Sequence, residues 1–138
     1  MINKNYKCKY VHMIINQNFY QKTKKKYKVY QRAIYHIDKD TDAWFGTICR
    51  DKSGNFVENK SCGWTNEDHG KKFIMHTNKQ LTEDEKKRLD EENGKERLIF
   101  AKDKRNGEYH FYGVYKTSVN RTKSKATVTC TFIKNVWP

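Results

Sequence analysis

Apolar and polar positions alternate with a period of two along several stretches of the chain, and this sets the first expectation of its architecture. The clearest run is "KATVTCTFIK" (125–134), where Ala126, Val128, Cys130 and Phe132 alternate with Thr127, Thr129, Thr131 and Ile133. β-Branched residues on such a repeat read as a half-buried strand. "YKVYQRAIYHI" (27–37) sets Tyr27, Val29, Ala33, Tyr35 and Ile37 against Lys28, Arg32 and His36. "DKDTD" then turns the chain, and "AWFGTI" (43–48) reads as the hairpin partner. "YKCKYVHMII" (6–15) opens with Lys alternating against Tyr and Cys before turning apolar, and is expected to be a strand. The polar, basic "NQNFYQKTKKK" after it reads as a connection. "RDKSGNFVENKSCGW" reads as loop around a Ser-Gly-Asn turn, with room for a short strand.

"ERLIFAKDKRNGEYHFYGVYK" (96–116) carries two apolar runs around Asn106-Gly107, a pair suited to the tight turn of a hairpin. Its second run puts Tyr109, Phe111 and Tyr115 on one face and His110, Tyr112 and Val114 on the other. A water-facing strand needs a single apolar face. Either the hairpin is enclosed on both sides, or one ring-bearing face is kept for something that stacks.

One segment breaks the strand pattern. "LTEDEKKRLDEENG" (81–94) has Thr82 and Glu85 spaced as a capping box, and Asn93-Gly94 as a stop signal. Glu83 with Lys87 and Asp84 with Arg88 sit four apart in the favourable order. Leu89 is nearly its only apolar residue, so this helix is expected on the surface as a lid or brace. The resulting fold is α+β and mainly β: a small curled antiparallel sheet or barrel with one short surface helix, in a single domain of 138 residues.

Composition narrows the class. Aromatics make up 14% and charged residues 33% of the chain, with one Pro and seven Gly. That is too aromatic for a disordered tail and too polar for a membrane protein. No apolar run approaches the roughly 18 residues of a spanning helix, and the N-terminus lacks a signal-peptide pattern. The expected location is the cytoplasm.

Charge is unevenly spread. The net charge is +13, yet residues 1–37 hold no acid against Lys4, Lys7, Lys9, Lys22, Lys24, Lys25, Lys26, Lys28 and Arg32. After Glu108 there is again no acid, against Lys116, Arg121, Lys123, Lys125 and Lys134. The segment between carries 15 bases and 16 acids. If the terminal strands lie side by side, these charges add into one patch of the kind that holds phosphates. A Lys-rich surface set by nucleotide composition is the plain alternative.

Catalytic motifs are missing. Neither a GxSxG elbow nor a GxxxxGK[ST] phosphate loop occurs, and the four cysteines include no CxxC pair. No metal or cofactor is expected. His12, His36 and His110 fall within expected strands and have no sequence-adjacent partner. The chain reads as a non-enzyme.

The order "CGWTN … ERLIFAKDK…GEYHFYGVYK … TVTCTFIKN" resembles a small PUA/EVE/YDG-like β-barrel domain of bacterial and phage proteins, found beside restriction and nuclease modules. That family's pattern runs from a Gly-Trp-x-Asn motif through a polar helix to an aromatic hairpin and a closing strand. Tyr112 stands where the family's hairpin has Leu. The resemblance covers roughly Phe19 to Lys134. It implies recognition of nucleic acid, modified bases among its targets, in a restriction, defence or phage counter-defence setting. It carries over no catalytic residue.

Three functions stay open at this level. The first is a non-catalytic DNA- or RNA-binding module. Lys7, Lys9, Lys22, Lys24, Lys25, Lys26, Lys28, Arg32, Arg121, Lys123 and Lys125 would hold phosphates. Rings from Trp64 and Tyr112, or from Trp44, Tyr109 and Tyr115, would stack on bases. Trp64 leads because it follows Gly63 in a loop. The second is a phage-encoded inhibitor whose partner is a host defence protein, and the third a cryptic nuclease.

Overall fold

The computed structural model describes residues 2–24, 33–103 and 107–137. A two-residue strand β1 (Lys7–Cys8) precedes helix α1 (Val11–Thr23). Strands β2 (Ile34–Asp38), β3 (Thr41–Thr47), β4 (Cys49–Arg50), β5 (Phe56–Val57), β6 (Trp64–Asp68) and β7 (Lys72–Thr77) follow. Helix α2 (Glu83–Glu92) then leads into β8 (Glu96–Lys102), β9 (Tyr109–Arg121) and β10 (Ala126–Lys134). The fold is α+β and mainly β. Among the described residues no helix is long and apolar enough to cross a membrane.

The main sheet has eight strands in the order β2-β3-β8-β9-β10-β7-β6, with β1 added beside β9. All pairings are antiparallel except β3 with β8, where Ala43 faces Leu98 and Phe45 faces Phe100. The sheet is therefore mixed and does not close into a barrel. It is bent round instead: Asn66 on edge strand β6 donates its Nδ2 to the Thr47 carbonyl at the end of β3, 2.9 Å away.

Bending the sheet creates two cores, one on each face. The outer face packs Tyr35, Ile37, Ala43, Phe45, Leu98, Phe100, Tyr109 and Phe111 under Val11, Ile14, Ile15 and Phe19 of α1. The inner face collects Trp44, Phe73, Met75, Ile99, Tyr115, Val128 and Cys130 beneath Leu81 and Leu89. The rings of the β8–β9 hairpin are thus on two faces because both are enclosed. A register shift between Ile99 and Phe100, at Tyr112-Gly113, corrects the expected division of those rings. Tyr109, Phe111 and Val114 enter the outer core, while Tyr115 and Tyr112 turn to the inner one. Asn106 of the expected turn lies outside the described residues.

Other expectations meet the structure unevenly. The strand at 125–134, the hairpin of Ile34–Asp38 with Thr41–Thr47, and the Thr82/Glu85 capping box all form. The part of the expected 27–37 strand at Tyr27–Arg32 lies outside the described residues. The strand expected over 6–15 is corrected: only Lys7–Cys8 is extended, and Val11–Thr23, including His12 and most of the expected connection, is a second helix. Its buried positions 11, 14, 15 and 19 follow helical spacing. Burying each of those side chains contributes about 1.5–3 kcal/mol. That packing outweighs the strand preference of Val11, Ile14 and Ile15. Sequence reading missed strands β6 and β7: "WTNED" carries charge on both faces, and "KFIMHT" is a short run in which Phe73, Met75 and Thr77 alternate with Lys72, Ile74 and His76.

Candidate nucleic-acid interface

Where the bent sheet leaves its inner face open, beside α2, a cavity of about 440 Å³ remains. Two indoles border it, Trp44 from β3 and Trp64 from the start of β6. Trp44 is 7% exposed and braced edge-on by Phe73, ring centres 5.5 Å apart. Trp64 is half-buried. The loop before it is pinned: Gly63 N–H donates to the Asn59 carbonyl, Asn59 N–H to the Trp64 carbonyl, and Asn78 N–H to the Gly63 carbonyl. Gly63 has φ +77°, a conformation that glycine adopts without cost. The Gly-Trp pair in the sequence marks this fixed presentation of a ring.

Among mainly apolar neighbours the lining includes the buried polar side chains Asn66, Glu92 and Arg97, which further buried polar groups support from behind. Asn66 is 4% exposed and held by its bond to Thr47. Thr65 donates its hydroxyl to Asn78 Oδ1 at 2.7 Å and so holds strand and loop together. Glu92 at the end of α2 accepts from Arg97 Nη2, and both side chains are nearly inaccessible. Burial raises the Glu92 carboxyl above the usual glutamate range, against the pull of the Arg97 charge. Close to this pair, buried Asp42 takes His36 Nδ1 at 2.7 Å and Lys95 Nζ at 2.8 Å, both on Oδ1. At the mouth stand exposed Lys79 and Arg88, with Glu85 between them in the rim.

Among the described residues, the candidate phosphate-binding side chains fall into two groups along β9. The chain ends do meet, since Ile2 and Trp137 exchange backbone hydrogen bonds of 2.8 and 2.9 Å. Lys22 belongs to that end, above the Trp137 ring at 5.1 Å and paired with Asp38 at 3.3 Å. Lys7 pairs in register with His110, Lys9 lies 5.9 Å from the Tyr10 ring, and Lys24 caps α1. Lys25, Lys26, Lys28 and Arg32 lie outside the described residues. Arg121, Lys123 and Lys125 sit at the other end of β9, eleven residues from His110, or roughly 35 Å of extended strand. Arg121 is engaged there: Nε and Nη2 both donate to the Asp90 carboxylate at 2.7 Å.

The rings divide as well. Tyr109 and Tyr115 are closed into the two cores at 6% and 1% exposure. Tyr112 is half-buried, edge-on to Phe73, and borders a second opening with His110 and Phe132. Trp44, Trp64 and the edge of Tyr109 line the cavity beside α2, and of these only Trp64 is more than marginally exposed. Asn66, Glu92 and Arg97 escaped sequence reading, because nothing local to "WTNED" or "EENGKER" tells that these polar residues are enclosed.

Comparison with known proteins adds a fold relative. No protein-family profile matches the chain, and no curated protein does. Among solved structures, the 5-hydroxymethylcytosine-specific restriction enzyme AbaSI superposes with a TM-score of 0.59 at 25% identity. The match covers 94% of this chain and 38% of that enzyme. This fold is therefore one that a restriction enzyme contains, and the chain spans well under half of that enzyme's length.

Proposed function

We propose that this chain is a non-catalytic DNA-binding module of a restriction setting that takes one unstacked base into the cavity between Trp44 and Trp64. The observation that carries the reading is that cavity: two indoles, one pinned by its loop and one by the core, in a mainly apolar lining that also holds the buried polar side chains Asn66, Glu92 and Arg97. About 440 Å³ lies within the range of small-molecule pockets, roughly 300–1,000 Å³. Removing a base from a duplex costs a few kcal/mol, and stacking on an aromatic side chain returns about 1–3 kcal/mol per base. The likeness to a 5-hydroxymethylcytosine-specific enzyme supports a 5-substituted cytosine as the guest. Lys79 and Arg88 at the mouth supply the salt-dependent share of the affinity.

The test is a titration of labelled duplexes, with and without a single 5-hydroxymethylcytosine, at two salt concentrations. The expected result is tighter binding of the modified duplex at both, with affinity falling as salt rises. Equal affinity for the two duplexes would remove the base-reading role, and no binding at about 50 mM salt, where phosphate contacts are strong, would remove the module's nucleic-acid role altogether.

A further inference from the structure

A buried ion pair adds little net stability over well-packed apolar side chains, so the presence of one in the floor of an open cavity calls for another role. Arg97 is 2% and Glu92 3% exposed, and both line the cavity. The guanidinium is only partly satisfied. Its Nη2 donates to Glu92 Oε1, its Nη1 meets the thioether of Met75 at 3.2 Å, the Cys130 thiol lies against it as a further weak acceptor, and its Nε has no partner. A thioether is a weak acceptor, and an unfilled buried donor is costly unless a guest fills it. The cavity thus offers a carboxylate acceptor beside an unfilled guanidinium donor, in a lining that also holds the two indoles.

We infer that Glu92 and Arg97 are the specificity pair of this cavity, reading the amine-bearing edge of a pyrimidine. The inference rests on the reading of the cavity as a base pocket. Glu92 accepts from the exocyclic amine, and Arg97 donates to the adjoining ring nitrogen and carbonyl oxygen. Cytosine presents that order of donor, acceptor, acceptor. Thymine and uracil present acceptor, donor, acceptor, and guanine presents acceptor, donor, donor. Adenine carries a C–H where the second acceptor is needed. A site that hydrogen-bonds its guest rejects an analogue lacking the partner atoms far more strongly than shape alone allows, because its own buried groups are left unpaired.

The experiment uses the full chain and three duplexes, each with one target position opposite an abasic site so that unpairing is equal. The targets are 5-hydroxymethylcytosine, 5-hydroxymethyluracil and pyrimidin-2-one, which lacks the amine. Wild type is expected to bind the cytosine target about tenfold or more tightly than either analogue. Because removing one partner of a buried pair can unfold the chain, the decisive variant is the double change Glu92→Leu with Arg97→Met, which removes both charges at similar volume. Folded by circular dichroism, it should bind all three duplexes alike. Equal wild-type affinities while a 2-aminopurine neighbour still reports unstacking would overturn the pair's role and leave the base pocket standing. So would a double variant that keeps the preference. Absence of unstacking for every target would remove the pocket reading and the inference with it.

Discussion

The Trp44 indole lies directly over Gly46: a β-carbon at position 46 would stand 2.2 Å from Cη2 and 2.4 Å from Cζ2 of the ring. No side chain fits there without moving the indole, and the indole is a wall of the cavity. Gly46→Ala should therefore cost about 1–3 kcal/mol of stability, the usual range for overpacking, and weaken oligonucleotide binding as well. Chemical denaturation and a binding titration measure the two effects. An alanine variant as stable and as tight-binding as wild type would mean that Trp44 is free to leave its place.

Two cations near α2 separate structural from phosphate-holding charge. Arg121 is already bound in a two-point contact to Asp90, whereas Lys79 is exposed at the mouth of the cavity. Lys79→Ala should lower the slope of log affinity against log salt by about 0.9, one phosphate contact. Arg121→Ala should leave that slope unchanged. Binding measured at four salt concentrations distinguishes them, and a reversed order would place the phosphate track at the β9–β10 turn instead.

Alkaline titration probes the inner core. Burial pushes the Tyr115 phenol from 10.0 to about 12, and its hydroxyl donates to the Gly70 carbonyl at 3.1 Å. Because the folded value is above the unfolded one, the neutral phenol's contribution to stability is complete below pH 10 and is lost as pH rises towards 12. Unfolding midpoints should accordingly fall across that window in wild type and fall less in Tyr115→Phe. Tyrosinate absorbance should also lose its last-titrating component in the variant. A variant with an unchanged alkaline profile would place the raised titration elsewhere.

How much of this was legible from sequence depends on how local each feature is. The capping box at Thr82 and Glu85, the closing strand and the Ile34–Thr47 hairpin are written in neighbouring residues, and they form. Helix α1 was hidden because its core positions are Val and Ile and the Lys-Tyr-Cys alternation runs straight into it. Only packing against Tyr35 and Phe100 decides its conformation. For the site, Gly63 before Trp64 was a usable signal, since the turn and the ring are adjacent in the chain. Trp44 gave a fainter one in the glycine two residues on. Glu92 and Arg97 gave none, as each looks like any other charge on a surface helix or strand until the sheet bends around them. The basic chain ends were expected to add their charges, and among the described residues β9 holds Lys7 beside one end and Arg121 at the other.

The most direct measurement is the fluorescence of 2-aminopurine placed beside a single 5-hydroxymethylcytosine in a duplex, read with wild type and with Trp64→Ala. Half-buried Trp64 can be truncated with the fold retained, which circular dichroism checks. Wild type should raise the fluorescence on binding, and Trp64→Ala should lose that rise together with about 1–3 kcal/mol of affinity. Tight binding with no fluorescence change, unaltered by loss of the Trp64 ring, would contradict a base held between the two indoles.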